Sequence, residues 1–180
     1  MVEKKPCPLP SPWFVWHADV IAPGMRVLDV ACGRGRHAIA AARRGASVVA
    51  LDVDAASLRH GEEAARNANV SIQWVQADLE RDSLPAGPFD VVLLFNYLDR
   101  RRMKVFLDAV CAGGYLLGET FLERQRALGW GPTSTDHLLA AGEIFSLIHP
   151  YELVSAREAL EMLDGRPMAV ASVLARRPLR

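Results

Sequence analysis

Apolar positions along the chain fall into short runs that alternate with segments of helical character. Val27, Leu28 and Val30 form the first run, the pattern of a strand buried on both faces. Arg36 to Arg44 is alanine-rich and reads as helix, and Gly45 stands where a glycine commonly ends one. Ser47 to Leu51 is a second apolar run, closed by Asp52. Cys32-Gly33-Arg34-Gly35 is the turn between the first strand and the helix. Residues 25–54 therefore predict a strand, a glycine turn, a helix and a second strand with an acid at its tip.

The reading extends in both directions. Residues 1–12 carry four prolines and predict an irregular arm. Trp13 to Val20 follows as a short helix, with Ser11 as its N-cap and Pro12 at its first position. Asp54 is a candidate cap for a helix reaching about Asn67, slightly weakened by Gly61. Val70 to Gln76 alternates apolar and polar as a third strand and ends in Ala77-Asp78-Leu79. Leu84 to Pro88 is a loop and Phe89 to Phe95 a fourth strand. Arg100-Arg101-Arg102 opens a helix to about Cys111, Gly113-Gly114 breaks the chain, and Tyr115 to Phe121 is a fifth strand. The three arginines read as a solvated helix face or as an anion holder. Leu122 to Ala141 has no clean period and sits where a lid or substrate loop belongs. Glu143 to His149 is a short helix stopped by Pro150. Tyr151 to Met162 and Pro167 to Ala175 flank an Asp164-Gly165 pair, a strong hairpin signal.

A chain of 180 residues has one domain as its prior, and 51% hydrophobic with 23% charged residues supports a sizeable core. The formal net charge is zero, which removes the bulk attraction that nucleic-acid binders depend on. Cys7, Cys32 and Cys111 lack the number and spacing for disulfides or zinc, so no metal is expected and a reducing cytosol fits. No apolar run reaches membrane-spanning length, and the N-terminus lacks a signal peptide's apolar core. The expectation is a cytoplasmic protein with neither a membrane nor a nucleic-acid partner.

Glycines let backbone approach a ligand, and a helix start offers free N–H groups. An acid about 20 residues further on can accept hydrogen bonds from both hydroxyls of an adenosine ribose. Two nucleoside cofactors compete. Gly33-Arg34-Gly35-Arg36-His37-Ala38 fits the dinucleotide pattern G-x-G-x-x-A. Asp29 argues the other way, since a buried carboxylate needs a partner and phosphates would repel it. The ammonium and sulfonium of S-adenosylmethionine would attract it.

Asp29-x-Ala31-Cys32-Gly33-x-Gly35 resembles motif I of class I S-adenosylmethionine-dependent methyltransferases, and Asp52 resembles their ribose-binding acid. This chain has Ala31 and His37 where the family usually has glycine. Together with Ala31 to His37, the segment Gly131 to Ile144 resembles the small bacterial tellurite-resistance-type methyltransferases. The resemblance covers about Pro12 to Pro178. It implies a Rossmann-like three-layer α/β sandwich, a mostly parallel seven-stranded sheet closed by a C-terminal antiparallel hairpin, with residues 13–180 as one methyltransferase domain. The cofactor site it implies is Asp29, Ala31, Cys32, Gly33, Gly35, Arg36, Asp52, Val53, Asp78, Leu79 and Asn96. Within it, Asp78 would meet the adenine amino group; the plainer reading is that Asp78 caps a turn. Asn96-Tyr97 follows the fourth strand without the prolines expected of a base or glutamine methyltransferase.

Trp13 and Trp16 either pack on the sheet or wall a substrate pocket. His37, Tyr97, Glu119 and His137 complete the substrate candidates, with surface placement the plainer reading of His37. No catalytic base is assigned. The expected activity is S-adenosylmethionine-dependent methylation of a small molecule such as a thiol or a chalcogen oxyanion, tellurite or selenite among them. In-line displacement at a sulfonium methyl needs alignment more than a base. Two alternatives stand: a dinucleotide-dependent reductase, for which no Tyr-x-x-x-Lys pair exists in the chain, and a non-catalytic S-adenosylmethionine-binding protein. The oligomeric state is not legible.

Overall fold

A computed structural model describes residues 9–163 and 165–179, so Cys7, most of the proline-rich arm and Asp164 lie outside the described residues. The chain divides into two compact units, 1–86 and 87–180.

The first unit holds α1 (Pro12–Trp16), β1 (Arg26–Val30), α2 (Arg36–Arg43), β2 (Ser47–Asp52), α3 (Ala55–Asn67) and β3 (Ile72–Gln76). Ser11 caps α1, its hydroxyl accepting from the Phe14 N–H at 3.2 Å with Pro12 in the first turn. The helix expected over Trp13–Val20 breaks at His17, and Ala18–Val20 continues as a 3-10 turn. β1 and β2 are almost wholly buried, which is why their sequences run apolar without alternation. β1 pairs with β2 and β2 with β3, all parallel, in registers that set Val30 beside Leu51 and Asp52 beside Gln76. The carboxyl ends of the three strands are therefore level.

Trp74 on β3 explains two glycines. A Cβ on Gly35 would lie 2.3 Å from the Trp74 ring, and one on Gly61 2.6 Å from it. The indole packs where α2 begins and against the middle of α3. Gly61, read from sequence as a mild defect in α3, is there to admit that ring.

The second unit holds β4 (Phe89–Phe95), α4 (Met103–Asp108), β5 (Val110–Phe121), α5 (Glu143–Leu147), β6 (Glu152–Leu163) and β7 (Arg166–Arg176). β4 and β5 are parallel; β5 with β7 and β6 with β7 are antiparallel. Two sequence expectations are corrected. Arg100–Arg102 form a turn ahead of α4 and not its first residues. β5 begins at Val110, with Gly113 at φ 77 and Gly114 inside the strand as an irregularity in its pairing with β4. A Cβ on Gly114 would lie 2.6 Å from the Asp90 carbonyl oxygen, so the strand bends there without a side chain.

Residues 122–139 form a closed excursion whose ends meet in a Leu122–Leu139 bridge. It is anchored and not loose. Leu138, Leu139 and Gln125 are fully buried, and the Gln125 amide accepts from Ala169 N–H at 2.8 Å and donates to the Trp130 carbonyl at 2.9 Å.

Over both units the strand order is β3-β2-β1-β4-β5-β7-β6, a seven-stranded, mostly parallel, Rossmann-like sheet ending in the antiparallel hairpin. Among the described residues no helix is long and apolar enough to cross a membrane, and no cluster of three or more His, Cys, Asp or Glu could hold a metal.

Candidate functional site

The level strand ends of the first unit carry the glycine loop. Ala31, Gly33 and Gly35 have φ of 52, 55 and 72, so the backbone turns left-handed three times between β1 and α2. The Cys32 N–H donates to the Leu51 carbonyl at 2.9 Å and the Gly33 N–H to the Asp52 carboxylate at 2.7 Å. The other Asp52 oxygen accepts from Asp54 N–H at 2.9 Å. Asp52 thus ties the loop to the end of β2. A carboxylate offers about four acceptor sites, so this one retains capacity for further donors. A Cβ placed on Gly33 would meet nothing within 4 Å, which leaves open space over that backbone. Gly35 differs: its Cβ direction is filled by Trp74, so it serves turn and packing. Val53, 61% exposed, presents an apolar side chain next to Asp52.

Asp29 is 1% exposed, and its carboxylate accepts from Ala38 N–H at 2.9 Å. That donor is the third N–H of α2, whose cap Gly35 has no side chain. The partner that a buried Asp29 requires is this helix start. Burial raises its pKa to about 7, against the lowering effects of the Ala38 bond and of Arg36. Cys32 is buried beside Asp29 and Asp52, and burial and the two carboxylates push its thiol up, so it stays protonated. Arg36 is half-buried at the first position of α2.

His37 is not the surface residue its sequence context suggested. It is 3% exposed, and Nε2 accepts from the Ser11 N–H at 3.2 Å while the ring sits 5.3 Å from that of Phe14. Burial, then Arg36, holds its pKa well below the usual histidine range, so it is neutral and carries its proton on Nδ1. It joins the start of α2 to the start of α1. Trp13 is buried and Trp16 is exposed, their rings 6.4 Å apart edge to face.

At the end of β3, Asp78 closes a turn. Its carboxylate accepts from Glu80 N–H at 3.0 Å, its own N–H donates to Asp82 at 2.7 Å, and Arg81 lies 3.6 Å away. Leu79 is buried beside it.

In the second unit, Asn96 follows β4 at φ 56 and donates its N–H to the Glu119 carbonyl at 2.7 Å. The half-buried Tyr97 packs edge to face on Phe106 at 6.0 Å. Glu119 is buried within a polar row across β5, β7 and β6: Ser172 donates to it at 2.7 Å and the Arg157 guanidinium lies 3.6 Å away. Its charge is met inside that row. His137 is exposed in a 3-10 turn.

Arg100 was missed. Its guanidinium makes a two-point pair with Glu143 and donates to the carbonyls of Leu138 at 2.7 Å, Thr135 at 3.1 Å and Asp136 at 3.2 Å. This hydrogen bonding holds the Glu143 carboxyl below its usual range. Arg100 fixes the segment 135–143 that carries His137. Its neighbours Arg101 and Arg102 disguise it in sequence; Glu143, 43 residues on, gave no local signal.

Residues 27–113 match the family model described as a methyltransferase domain. An uncharacterized methyltransferase of Mycobacterium tuberculosis is 45% identical over 101 residues, 53% of this chain and 50% of that protein. The chain spans about half or less of the length of the curated relatives it matches. TehB from Haemophilus influenzae superposes with a TM-score of 0.77 at 22% identity, covering 91% of this chain and 60% of that one. A S-adenosylmethionine-dependent methyltransferase from Methanosarcina mazei gives 0.73 at 17% identity, covering 96% and 100%. The chain has the Rossmann-like fold of these methyltransferases.

Proposed function

We propose that a chain built on this domain is a S-adenosylmethionine-dependent methyltransferase acting on a small-molecule acceptor. The observation that carries the reading is the Gly33–Asp52 arrangement, which falls inside the matched segment and leaves the Gly33 backbone open to a ligand. The residues fit the cofactor. Asp52 keeps acceptor capacity for the two ribose hydroxyls, and Val53 offers an apolar surface to the adenine. Leu79 and the turn at Asp78 border the same strand ends, and Asp78 would accept from the adenine amino group. Arg36 would donate to the cofactor's carboxylate, and the loop carbonyls at Ala31 and Cys32 would accept from its ammonium group. Asp29 orders the loop from beneath through Ala38 and would not itself touch the ligand.

Bound there, S-adenosylmethionine supplies an activated methyl group on a good leaving group. The protein's part is to align an acceptor atom with that methyl and to exclude water. A soft nucleophile needs little base catalysis, which agrees with a second unit in which Glu119 is occupied by Ser172 and Arg157. The acceptor class is then a thiol or a chalcogen oxyanion such as tellurite or selenite, as the resemblance of residues 31–37 and 131–144 implies. We assign the acceptor contacts to Tyr97 and His137.

The test is transfer of labelled methyl from S-adenosylmethionine to a panel of thiols, selenite, tellurite and small amines. Turnover on a thiol or oxyanion with S-adenosylhomocysteine released one for one is the expected result. Turnover confined to the amines would overturn the acceptor class. Cofactor binding with no turnover on any acceptor would favour a non-catalytic binding protein.

A further inference from the structure

We propose that the second unit carries a separate small-molecule site, a groove between α4 and α5 that takes an apolar molecule ending in a single negative charge. The cavity measures about 480 Å³. That lies within the range of about 300–1,000 Å³ typical of small-molecule sites. None of its lining residues belongs to the cofactor set above. Met103 and Leu107 of α4, both buried, form its floor, with Leu147 of α5 as the facing wall. Tyr151 holds one end together: its hydroxyl donates to the Leu107 carbonyl, and burial pushes its pKa up to about 12, so it remains a neutral donor.

The polar groups along the rim choose the ligand's charge. Among the described residues Asp108 is the one carboxylate lining the groove, and it is engaged by Lys104 at 2.6 Å. Arg100 is bound to Glu143. Arg177 is different. Its Nη1 donates to the carbonyls of Asp108 and Val110, which fixes the guanidinium, and among the described residues no carboxylate pairs with it. A fixed cation at the end of an apolar groove suits a carboxylate or sulfonate on an apolar body. Placing the ligand's charge elsewhere would desolvate it without a partner.

Calorimetry on the full chain with decanoate and with decan-1-ol tests this. Decanoate should bind one per chain, about tenfold or more tighter than the alcohol, the scale of one charge-assisted bond. Leu147→Trp, which fills the groove from a half-buried position, should abolish both. Arg177→Gln should erase the preference for decanoate, and Arg177→Lys should keep most of it. Prior saturation with S-adenosylhomocysteine should leave decanoate binding unchanged. Equal affinity for acid and alcohol would overturn the charge assignment. Full binding to Leu147→Trp, or competition with S-adenosylhomocysteine, would overturn the site. If Arg177→Gln fails to fold, the acid-to-alcohol ratio on the parent chain and Leu147→Trp still decide it.

Discussion

Asp52 and Asp54 lie two residues apart and have separate roles. Asp52 binds the glycine loop; Asp54 caps α3, accepting from Ala56 N–H at 2.9 Å. Asp52→Ala should weaken S-adenosylhomocysteine binding at least about tenfold, the low end for a lost charge-assisted bond. Asp54→Ala should lower thermal stability slightly and leave that affinity alone. The reverse pattern in calorimetry and thermal melts would misplace the ribose. Asp29 predicts a pH effect. Its folded pKa, about 7, lies above the ordinary 3.8. Its favourable contribution is therefore full below about pH 4 and is lost as pH rises through 7. Asn at this position can still accept from Ala38 without ionising. The urea midpoint of Asp29→Asn relative to the parent should rise between pH 5 and pH 8, and a constant difference would contradict the assignment. Both carboxylates stood out in the sequence because a charge at the end of an apolar run demands a partner, but the partner Asp29 has is the Ala38 N–H and not the cofactor charge expected for it. His37 did not stand out, since nothing in A-C-G-R-G-R-H-A-I marks a ring that accepts from Ser11, 26 residues away.

Periodicity located the elements well where burial imposes it and poorly where it does not. β1, β2 and β4 are buried runs and were found almost to the residue. α4 was begun too early because three arginines look like helix surface, whereas Arg100 turns away to hold residues 135–143. Arg100→Met should leave the sheet folded while limited proteolysis between 129 and 137 accelerates; an unchanged cleavage pattern would mean that segment stands by its own packing. Gly61 makes the corresponding point for α3. Alanine is intrinsically better in a helix by about 1 kcal/mol. Here the added Cβ meets Trp74 at 2.6 Å and the Arg34 carbonyl oxygen at 3.0 Å. Gly61→Ala should therefore destabilise by about 1–3 kcal/mol, the usual cost of overpacking. In a Trp74→Leu background the same change should cost less or become stabilising. Denaturant melts of the four proteins give the answer, and an equal cost in both backgrounds would remove Trp74 as the cause.

At the scale of the chain, the strand-turn-helix-strand of residues 25–54 and the Asp164-Gly165 hairpin signal together specified a mostly parallel sheet that closes antiparallel, and the strand order agrees. What remained hidden was long-range: the closed excursion of residues 122–139, held by a buried Gln125, and the polar row of Glu119, Ser172 and Arg157. Such pairings depend on register between distant strands and leave no local periodicity. The glycine loop is common ground for two nucleoside cofactors, and the choice between them is the centre of this account. Calorimetric titration of the full chain with S-adenosylhomocysteine, S-adenosylmethionine and NAD measures it directly. The account predicts one saturable site for the two sulfur nucleosides, lost together in Asp52→Ala, and no measurable binding of NAD. NAD binding more tightly than either would contradict it.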